Sequence, residues 1–278
     1  MKPVKLGLVQ MRMVGERSKN VRKAIDMVDA ASKEGAQIIC LPELFDSLYF
    51  PREEKSTARP GEIPDGVSDE LSAAASRNGV VLVGGSLYER AGKRSYNTSV
   101  VFDSDGRILG KYRKVHIPQD PSFYEQDYFD PGKAYEVFDT KFGRIGVLIC
   151  FDQWYPEPAR ILKLMGADIV FYPTAIGTVK GVTQAEGDWQ GAWEGVQRGH
   201  AIANSMVVAA VNRVGSEGDM RFWGGSFVYD QFGTRLVRGD RTERVLVVSC
   251  DLDLARDVEQ GWGFFRNRKP GTYGRLLS

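Results

Sequence analysis

A series of short apolar runs that alternate with amphipathic helical segments limits the folds open to this chain more than any other feature. The apolar runs cover residues 4–11, 37–41, 80–88, 95–103, 108–113, 144–151, 168–172, 206–212, 225–230 and 244–251. Most of them are dense in Val, Ile and Leu, as buried strands are. Helical periodicity covers residues 18–33, 67–78, 156–165 and 186–204. The alternation predicts an α/β fold.

Local signals indicate where these elements begin and end. Ser18 is the predicted N-cap of the first helix, and Gly35 lies just past its end. Strands also follow strands through Asp-Gly at 105–106 and Phe-Gly at 232–233, which predicts hairpins mixed with βαβ units. No glycine-rich phosphate loop follows the first strand, so the pattern is not that of a Rossmann fold. Two facing mixed sheets with helices outside accommodate these elements.

Composition indicates an enzyme that acts on a small partner. The 278 residues are 42% hydrophobic and 26% charged, which suits one domain over residues 1–278. The 37 basic residues nearly balance the 36 acidic ones, which argues against binding to nucleic acid or an anionic membrane. The first apolar run is too short for a signal peptide or membrane span, and three cysteines do not make a disulfide framework. We therefore expect a cytoplasmic protein.

Cys150 is the predicted nucleophile, because it lies where a buried strand meets a polar turn and the start of a helix. A histidine is the usual partner of such a thiol, but the chain contains only His116 and His200. A carboxylate, Glu43, and an ammonium group, Lys114, follow two other strand-like runs. These three strand ends supply a thiol, a base and a positive charge. The sequence offers no metal-ligand cluster.

Three ordered segments resemble the signature segments of the nitrilase superfamily of carbon-nitrogen hydrolases. They are Leu-Pro-Glu at 41–43, Lys-Tyr-Arg-Lys-Val-His at 111–116 and Gly-Val-Leu-Ile-Cys-Phe-Asp at 146–152, and the similarity continues through 166–173, 200–204, 212–215 and 223–226. Segments 150–157 and 172–177 are most similar to N-carbamoylputrescine amidases. The resemblance implies a four-layer αββα sandwich, self-association through the helices beside the cysteine, and cofactor-free hydrolysis of a carbamoyl amide.

The resemblance also assigns roles to the candidate residues. Cys150 attacks the carbamoyl carbon, and Glu43 is the general base that takes the thiol proton. Lys114 and the backbone N–H of Phe151 stabilise the oxyanion. A second glutamate follows the lysine in many members, and Glu125 matches that position as the residue that holds Lys114 and orients the substrate nitrogen. The expected reaction converts N-carbamoylputrescine and water to putrescine, ammonia and carbon dioxide through a carbamoyl thioester.

The side chains just after the cysteine predict the substrate tail. Relatives that act on N-carbamoyl amino acids hold the carboxylate with an arginine there, whereas this chain has Gln153 and Trp154, which favours an amine-ended or neutral tail. The acidic candidates for an ammonium are Asp120, Glu186, Asp188 and Glu194; the aromatic candidates for a cation-π contact are Tyr49 and Trp193; Thr174 is a further candidate contact. Ala192 stands where the resemblance predicts a histidine.

Structural alternatives accompany several of these residues. Cys40 and Cys250 lie inside apolar runs and are predicted core residues. His116 and His200 are interpreted as hydrogen-bonded structural histidines. Trp189 and Trp193 lie four residues apart on a helical pattern, where core packing explains them as well as a substrate cage does.

Alternative functions also remain open at this point. They are hydrolysis of N-carbamoyl-β-alanine, of an ω-amide, of an aliphatic amide or of a nitrile, and a catalytically silent binding protein. The hypothesis of a catalytically silent protein predicts that at least one of Glu43, Lys114 and Cys150 is lost, whereas the chain keeps all three. Aromatic and basic residues in the tail, 262–278, predict an interface in a homodimer or larger homo-oligomer.

Overall fold

The computed structural model describes residues 3–182 and 186–277. Its α-helices are α1 (Arg17–Lys33), α2 (Gly66–Asn78), α3 (Pro156–Leu164), α4 (Trp189–Asn204) and α5 (Leu254–Trp262). Its strands are β1 (Val4–Gln10), β2 (Ile38–Cys40), β3 (Val81–Val83), β4 (Leu87–Ala91), β5 (Arg94–Phe102), β6 (Ile108–Arg113), β7 (Gln119–Asp120), β8 (Phe123–Tyr124), β9 (Val137–Thr140), β10 (Gly143–Val147), β11 (Ile169–Thr174), β12 (Gly177–Val179), β13 (Val207–Asn212), β14 (Val214–Glu217), β15 (Met220–Trp223), β16 (Phe227–Tyr229), β17 (Arg235–Arg238) and β18 (Arg244–Cys250).

Two large mixed sheets form the centre of the molecule. The first runs β18-β1-β2-β3-β5-β4, with β6 also paired to β5, and the second runs β17-β16-β13-β11-β10-β9. Both sheets contain parallel central pairs and antiparallel edges. In the first sheet β1 pairs parallel with β2 and antiparallel with β18; in the second, β11 pairs parallel with β13, and β10 antiparallel with β9. A three-stranded sheet, β12-β15-β14, and the β7-β8 ribbon lie outside them.

The two sheets pack face to face, and helices cover their outer faces. One core cluster joins Leu6 and Leu8 of β1 to Val147 of β10 and Val208 of β13, so it lies between the sheets. A second cluster joins Val28 of α1 and other apolar residues of α1 and α2 to the outer face of the first sheet. Helices α3 and α4 cover the second sheet. The predicted four-layer αββα sandwich is confirmed.

A glycine allows helix α3 to approach β10 closely, just before the predicted nucleophile. A Cβ on Gly146 would lie 2.8 Å from the Cδ1 atom of Leu162 in α3. The side chain of Leu162 therefore occupies the space that any larger residue would need. This packing fixes the end of β10 against the helix that comes after the turn.

Several predicted boundaries differ from the structure. Helix α1 begins at Arg17 with Glu16 at its N-cap, so the prediction that Ser18 is the N-cap is wrong; the Ser18 hydroxyl instead donates to Glu16 Oε1. The run 80–88 is divided into β3 and β4 by a break at residues 84–86. The helix predicted over 186–204 begins at Trp189, and part of the predicted span lies outside the described residues.

Candidate active site

A strained turn presents the thiol of Cys150. The residue opens a short 3₁₀ helix, Cys150–Trp154, with two residues between it and the end of β10, and its φ angle is +43°. This left-handed conformation is uncommon for a residue with a Cβ atom and is found at active sites where the surroundings enforce it. Cys150 is buried, with only 6% of its surface exposed. The turn therefore aims one thiol from the end of a core strand.

The carboxylate of Asp152 stabilises the Cys150 turn. Its Oδ2 atom accepts from the Ile149 backbone N–H at 2.9 Å and from the Tyr112 hydroxyl at 2.7 Å. Its Oδ1 atom lies 3.0 Å from the backbone N and 2.7 Å from Nδ1 of His116. One fully buried carboxylate thus ties the turn to β6 and to the segment after it, which stabilises the unusual backbone.

Glu43 and Lys114 meet beside the thiol because both follow strands of the first sheet. Lys114 Nζ donates to Glu43 Oε1 at 2.9 Å, and both side chains are fully buried. Asn97 of β5 donates its amide to the same Oε1 atom at 2.8 Å. The other oxygen of Glu43, Oε2, is buried and has no hydrogen-bond partner among the described residues. Glu43 therefore keeps one oxygen available.

Glu125 completes the group from the start of a 3₁₀ turn, Glu125–Asp127. Lys114 Nζ lies 2.9 Å from Glu125 Oε1 and 2.7 Å from Glu125 Oε2. The Tyr49 hydroxyl donates to Glu125 Oε1 at 2.7 Å. Both oxygens of Glu125 are thus occupied by donors, in contrast to those of Glu43. The ammonium of Lys114 bridges the two carboxylates.

Burial and charge set the protonation of these groups. Burial raises the pKa of the Cys150 thiol well above its usual range, and Glu43 raises it further, whereas Lys114 opposes both. Burial lowers the pKa of Lys114, but attraction to Glu125 and Glu43 outweighs it and raises the pKa. Burial also raises the pKa of Glu125 to about 7, against the effect of Lys114. A thiol in these surroundings would need a nearby base in order to act as a nucleophile.

A cavity of about 450 Å³ opens onto Cys150. It is lined by Pro118, Asp120, Pro121, Phe123, Glu125, Cys150, Phe151, Gln153, Trp154, Ile176, Val182, Glu186, Trp189 and Ala192. Exposed carboxylates, Asp120 and Glu186, lie at its lining, and no lysine or arginine is found among these described lining residues. The cavity is largely apolar and aromatic and has acidic side chains at its lining, so it suits a short organic tail that ends in a cation.

The amide of Gln153 has one orientation. Its Oε1 atom lies 2.8 Å from Trp193 Nε1, and an indole N–H only donates, so the atom facing Trp193 is the oxygen. Gln197 donates to the same oxygen at 3.1 Å. Gln153 Nε2 is buried and has no partner among the described residues. Because Gln153 lines the cavity and its oxygen is held by residues behind it, its N–H groups are the part left for a ligand.

Comparisons with known proteins agree with this geometry. The carbon-nitrogen hydrolase family model matches residues 5–260. The chain belongs to the carbon-nitrogen hydrolase family. It is 40% identical to an N-carbamoylputrescine amidase of Arabidopsis thaliana, over 94% of this chain and 91% of that protein. It is 34% identical to a citrullinase of Francisella tularensis, over 99% of this chain and 98% of that protein. A solved carbon-nitrogen hydrolase from Helicobacter pylori has a TM-score of 0.95 and 38% identity, over 99% of both chains.

This carbon-nitrogen hydrolase, of the nitrilase superfamily, acts on C–N bonds other than peptide bonds, as the family and the names of its relatives show. No helix among residues 3–182 and 186–277 combines the length and apolar character needed to cross a membrane. In the same part of the chain, no group of His, Cys, Asp and Glu side chains is arranged to hold a metal ion. Where a metal would need open ligands, the two carboxylates hold Lys114 instead.

The hydrolase brings together some of the predicted site residues and separates others. Glu43, Lys114, Glu125 and Cys150 meet in one group, and Phe151, Gln153, Trp154, Asp120 and Glu186 line or adjoin the cavity beside them. Tyr49, Thr174, Asp188, Trp193 and Glu194 do not line it. Trp189, which the sequence left between core and cage, does line it.

Each separated residue has another partner. The Tyr49 hydroxyl holds Glu125, and the Thr174 hydroxyl donates to the Tyr172 carbonyl at 2.9 Å. Asp188 caps α4 by accepting from the Gly191 N–H.

The other two separated residues lie on α4. Trp193 is fully buried behind Gln153. Glu194 pairs with Arg235 and Arg238 across the surface. Helical spacing placed Trp193 beside Trp189, but only the packing of α4 decides which ring faces the cavity.

The histidines and the other two cysteines lie away from the reacting atoms. His116 contacts Asp152 and stacks on Tyr155 at 3.8 Å between ring centroids, and His200 Nε2 lies 2.8 Å from the Gln153 carbonyl. Cys40 and Cys250 are buried core residues, as predicted.

Sequence reasoning missed several residues that support the site. Asn97 holds Glu43, and Asn212 holds the backbone of Ile176 through bonds of 3.0 Å and 2.9 Å. Arg213 donates to the Glu43 carbonyl at 2.9 Å. Asn212 and Arg213 form a polar pair at the end of an apolar run and lie in a segment of the family resemblance, 212–215, but neither signal gave them a role. Asn97 lay inside a run predicted to be a strand.

Proposed function

We propose that this hydrolase cleaves the carbamoyl C–N bond of N-carbamoylputrescine, yielding putrescine, ammonia and carbon dioxide. One observation carries the proposal: an apolar cavity leads from the exposed carboxylates Asp120 and Glu186 to the thiol of Cys150. A butyl chain fits the apolar wall, and its terminal ammonium meets negative charge. The name of the Arabidopsis thaliana relative supports the same substrate.

The first chemical step transfers the thiol proton to Glu43. Its Oε2 atom is the carboxylate oxygen in the group that has no donor among the described residues, so it is the acceptor. The thiolate of Cys150 then attacks the carbamoyl carbon, and the C=O electron pair moves onto oxygen. The backbone N–H of Phe151 and the ammonium of Lys114 stabilise this oxyanion.

Protonation of Glu43 also prepares Lys114 for the oxyanion. The contacts of Lys114 Nζ are with Glu43 Oε1, Glu125 Oε1 and Glu125 Oε2, which can take its three N–H groups. When Glu43 becomes neutral, its bond to Lys114 weakens, because a charge-assisted hydrogen bond is about twice as strong as a neutral one. One N–H then turns to the oxyanion while Glu125 holds the other two.

The second half of the reaction returns the proton and releases products. The tetrahedral intermediate collapses, the C–N bond breaks, and Glu43 gives its proton to the departing ammonia. A carbamoyl thioester remains on Cys150. Glu43 then activates water, which attacks the thioester carbon and regenerates the thiol. The released carbamate loses carbon dioxide to give the free amine.

A substrate panel tests this function. Ammonia release is measured with N-carbamoylputrescine, N-carbamoyl-β-alanine, citrulline, an aliphatic amide and a nitrile, each beside Cys150→Ala and Glu43→Gln. Turnover of N-carbamoylputrescine is expected to exceed the others and to fall by about 10²–10⁴ in Glu43→Gln, the usual contribution of a general base. Preference for N-carbamoyl-β-alanine contradicts the tail assignment, and activity in Cys150→Ala contradicts the mechanism.

Citrulline is the second candidate because of Gln153. The N–H groups of Nε2 need an acceptor, and leaving such a donor unpaired in a complex costs about 1–3 kcal/mol. The polymethylene tail of N-carbamoylputrescine has no acceptor, whereas the α-carboxylate of citrulline has two. The Francisella tularensis relative is named a citrullinase. A Gln153→Leu variant that loses citrulline turnover but keeps N-carbamoylputrescine turnover would favour this candidate.

We further propose that the protein forms at least a homodimer and works in the cytoplasm. Helix α3 and the residue after it expose Ile161, Leu164 and Met165, and Trp262 at the end of α5 is 60% exposed. Such neighbouring apolar side chains are typical of a protein interface. The tail also contacts its own chain, since Arg160 of α3 lies over the Phe265 ring at 4.7 Å. A reducing compartment suits the free thiol of Cys150.

A further inference from the structure

The reacting groups belong to a larger closed ring of buried hydrogen bonds. Lys114 joins the carboxylates of Glu43 and Glu125, and the Tyr49 hydroxyl donates to Glu125. The backbone N–H of the same Tyr49 donates to Glu217 Oε2 at 2.6 Å. The ring thereby passes from the reacting groups to the end of β14.

Arg213 closes the ring on the other side. Its Nη1 atom donates to Glu217 Oε1 at 2.8 Å. Its Nη2 atom donates to the carbonyl of Glu43 at 2.9 Å and to that of Leu44 at 2.7 Å. A continuous path of hydrogen bonds and covalent bonds therefore runs from the Glu43 carboxylate through Lys114, Glu125, Tyr49 and the pair of Arg213 with Glu217 back to the Glu43 backbone.

The pair of Arg213 and Glu217 is not explained by stability alone. The side chain of Arg213 is fully buried and that of Glu217 nearly so. Removing two charges from water is costly, and apolar residues of similar volume often stabilise a protein as well or better. Neither residue lines the cavity. The pair instead fixes the orientation of the groups that it binds, because a planar guanidinium holds a carboxylate and two carbonyls in fixed geometry.

The backbone that Arg213 holds is strained. Leu44 has a φ angle of +45°, a conformation rare for a residue with a branched side chain. Its carbonyl accepts from Arg213, and its N–H donates to the Ser86 hydroxyl at 2.9 Å. A strained residue next to Glu43 needs such partners, because relaxation of this turn would move the carboxylate.

We propose that Arg213 and Glu217 are positioning residues that set the placement of the base Glu43 relative to Glu125 and Lys114. Arg213 fixes the backbone that carries Glu43, and Glu217 fixes Tyr49, which orients Glu125. Neither residue touches the substrate or the thiol. The proposal rests on the role of Glu43 in the proposed function, but not on the identity of the substrate.

The test uses Arg213→Lys and Glu217→Gln. Lysine keeps the positive charge but lacks the planar set of N–H donors of the guanidinium. Glutamine keeps the shape of glutamate but offers an N–H where an acceptor is needed. A misplaced catalytic group typically costs about 10²-fold, so kcat is expected to fall by about 10–100-fold with KM within about twofold of the wild type. Glu89→Gln is the matched control, because Glu89 is also buried and accepts from Arg113 and Lys111 outside the ring.

Alkylation of Cys150 separates this proposal from the substrate assignment. The rate of carboxamidomethylation by iodoacetamide, monitored on the peptide that contains Cys150, reports removal of the thiol proton without any substrate. It is expected to fall about tenfold or more in Arg213→Lys and Glu217→Gln, as in Glu43→Gln, and to stay unchanged in Glu89→Gln. If N-carbamoylputrescine is not turned over while the alkylation rates change as expected, the positioning role of Arg213 and Glu217 is supported and the substrate assignment is contradicted.

Two kinds of result would contradict the positioning role of Arg213 and Glu217. Folded variants that keep the wild-type kcat and alkylation rate would show that the pair is only structural. If either variant does not fold, Tyr49→Phe provides the second measurement, since it removes one hydroxyl from the ring. An unchanged alkylation rate and kcat in Tyr49→Phe would overturn the proposal.

Discussion

The four oxygens of the two site carboxylates have different surroundings, and this difference assigns their chemistry. Both oxygens of Glu125 accept hydrogen bonds, from Tyr49 and Lys114, and so does Oε1 of Glu43. Oε2 of Glu43 is buried with no partner among the described residues. We therefore propose different roles for these two similar residues, because Glu125 is saturated by donors and Glu43 retains an open acceptor.

The buried carboxyl of Glu125 also predicts how stability depends on pH. Burial raises the pKa of Glu125 from 4.5 to about 7, so the folded state binds this proton more tightly than the unfolded state. The resulting stabilisation is present below about pH 4.5 and is lost as the pH rises through about 7. The amide in Glu125→Gln does not titrate. Over this range the Tm of the wild type is therefore expected to fall relative to that of Glu125→Gln.

Thermal unfolding monitored by circular dichroism checks this, with both proteins in the same buffers. A difference in Tm that stays constant from about pH 4.5 to about pH 7 would contradict the raised pKa of Glu125. Comparison within a pair of proteins removes the contribution of surface groups that both share.

Among the elements, the break between β3 and β4 shows how a local irregularity serves the site. Residues 80–88 have the composition of one continuous strand, yet residues 84–86 interrupt it between β3 and β4. Gly85 has a φ angle of +59°, and a Cβ there would clash with the Pro42 carbonyl oxygen. The next residue, Ser86, accepts from Leu44 through its hydroxyl. The break thus brings backbone against the turn that carries Glu43.

Gly85→Ala is expected to damage both stability and activity. The added methyl group clashes with backbone rather than with a flexible side chain, and overpacking of this kind costs about 1–3 kcal/mol in the free energy of unfolding. Because the clash displaces Pro42, which precedes Glu43, kcat should fall as well. Urea unfolding and steady-state kinetics measure the two effects.

Gly92→Ala is the matched control. Gly92 also has a positive φ angle, +62°, but a Cβ there meets nothing within 4 Å. It is expected to show only the cost of the left-handed backbone, with kcat unchanged. Equal effects of the two substitutions on kcat would mean that the contact with Pro42 does not position Glu43.

On the scale of the whole molecule, apolar side chains remain exposed on one side. Leu164 near the end of α3 is 50% exposed, and Trp262 contacts the rings of Phe232 and Phe264 at the surface. If this face joins two subunits, Leu164→Glu should produce a monomer, since an unpaired charge in an interface costs several kcal/mol. Size-exclusion chromatography with light scattering measures the mass.

Val14→Glu is the control for the oligomer, because Val14 is also exposed but precedes α1 on the other outer layer. It should leave the mass unchanged. A wild-type protein that is a monomer at micromolar concentration would contradict the dimer, and so would a Leu164→Glu variant with the mass of the wild type.

Much of the architecture was predictable because it depends on local periodicity. A repeat of two residues or of 3.6 residues identifies strands and helices from neighbours in the chain, and the αββα arrangement agrees with it. Boundaries were less predictable, as Ser18 and the break at 84–86 show, since a cap or a break depends on hydrogen bonds that the pattern does not contain.

The sequence by itself determined which side chains come together: Glu43, Lys114 and Cys150 each come after an apolar strand, and strand ends of one fold converge. The tertiary structure alone decided how those groups are held. Arg213 binds the Glu43 carbonyl across 170 residues, and Trp193 orients Gln153 across 40. Such contacts leave no local pattern, because they arise only when distant segments are packed together and buried polar groups must find partners.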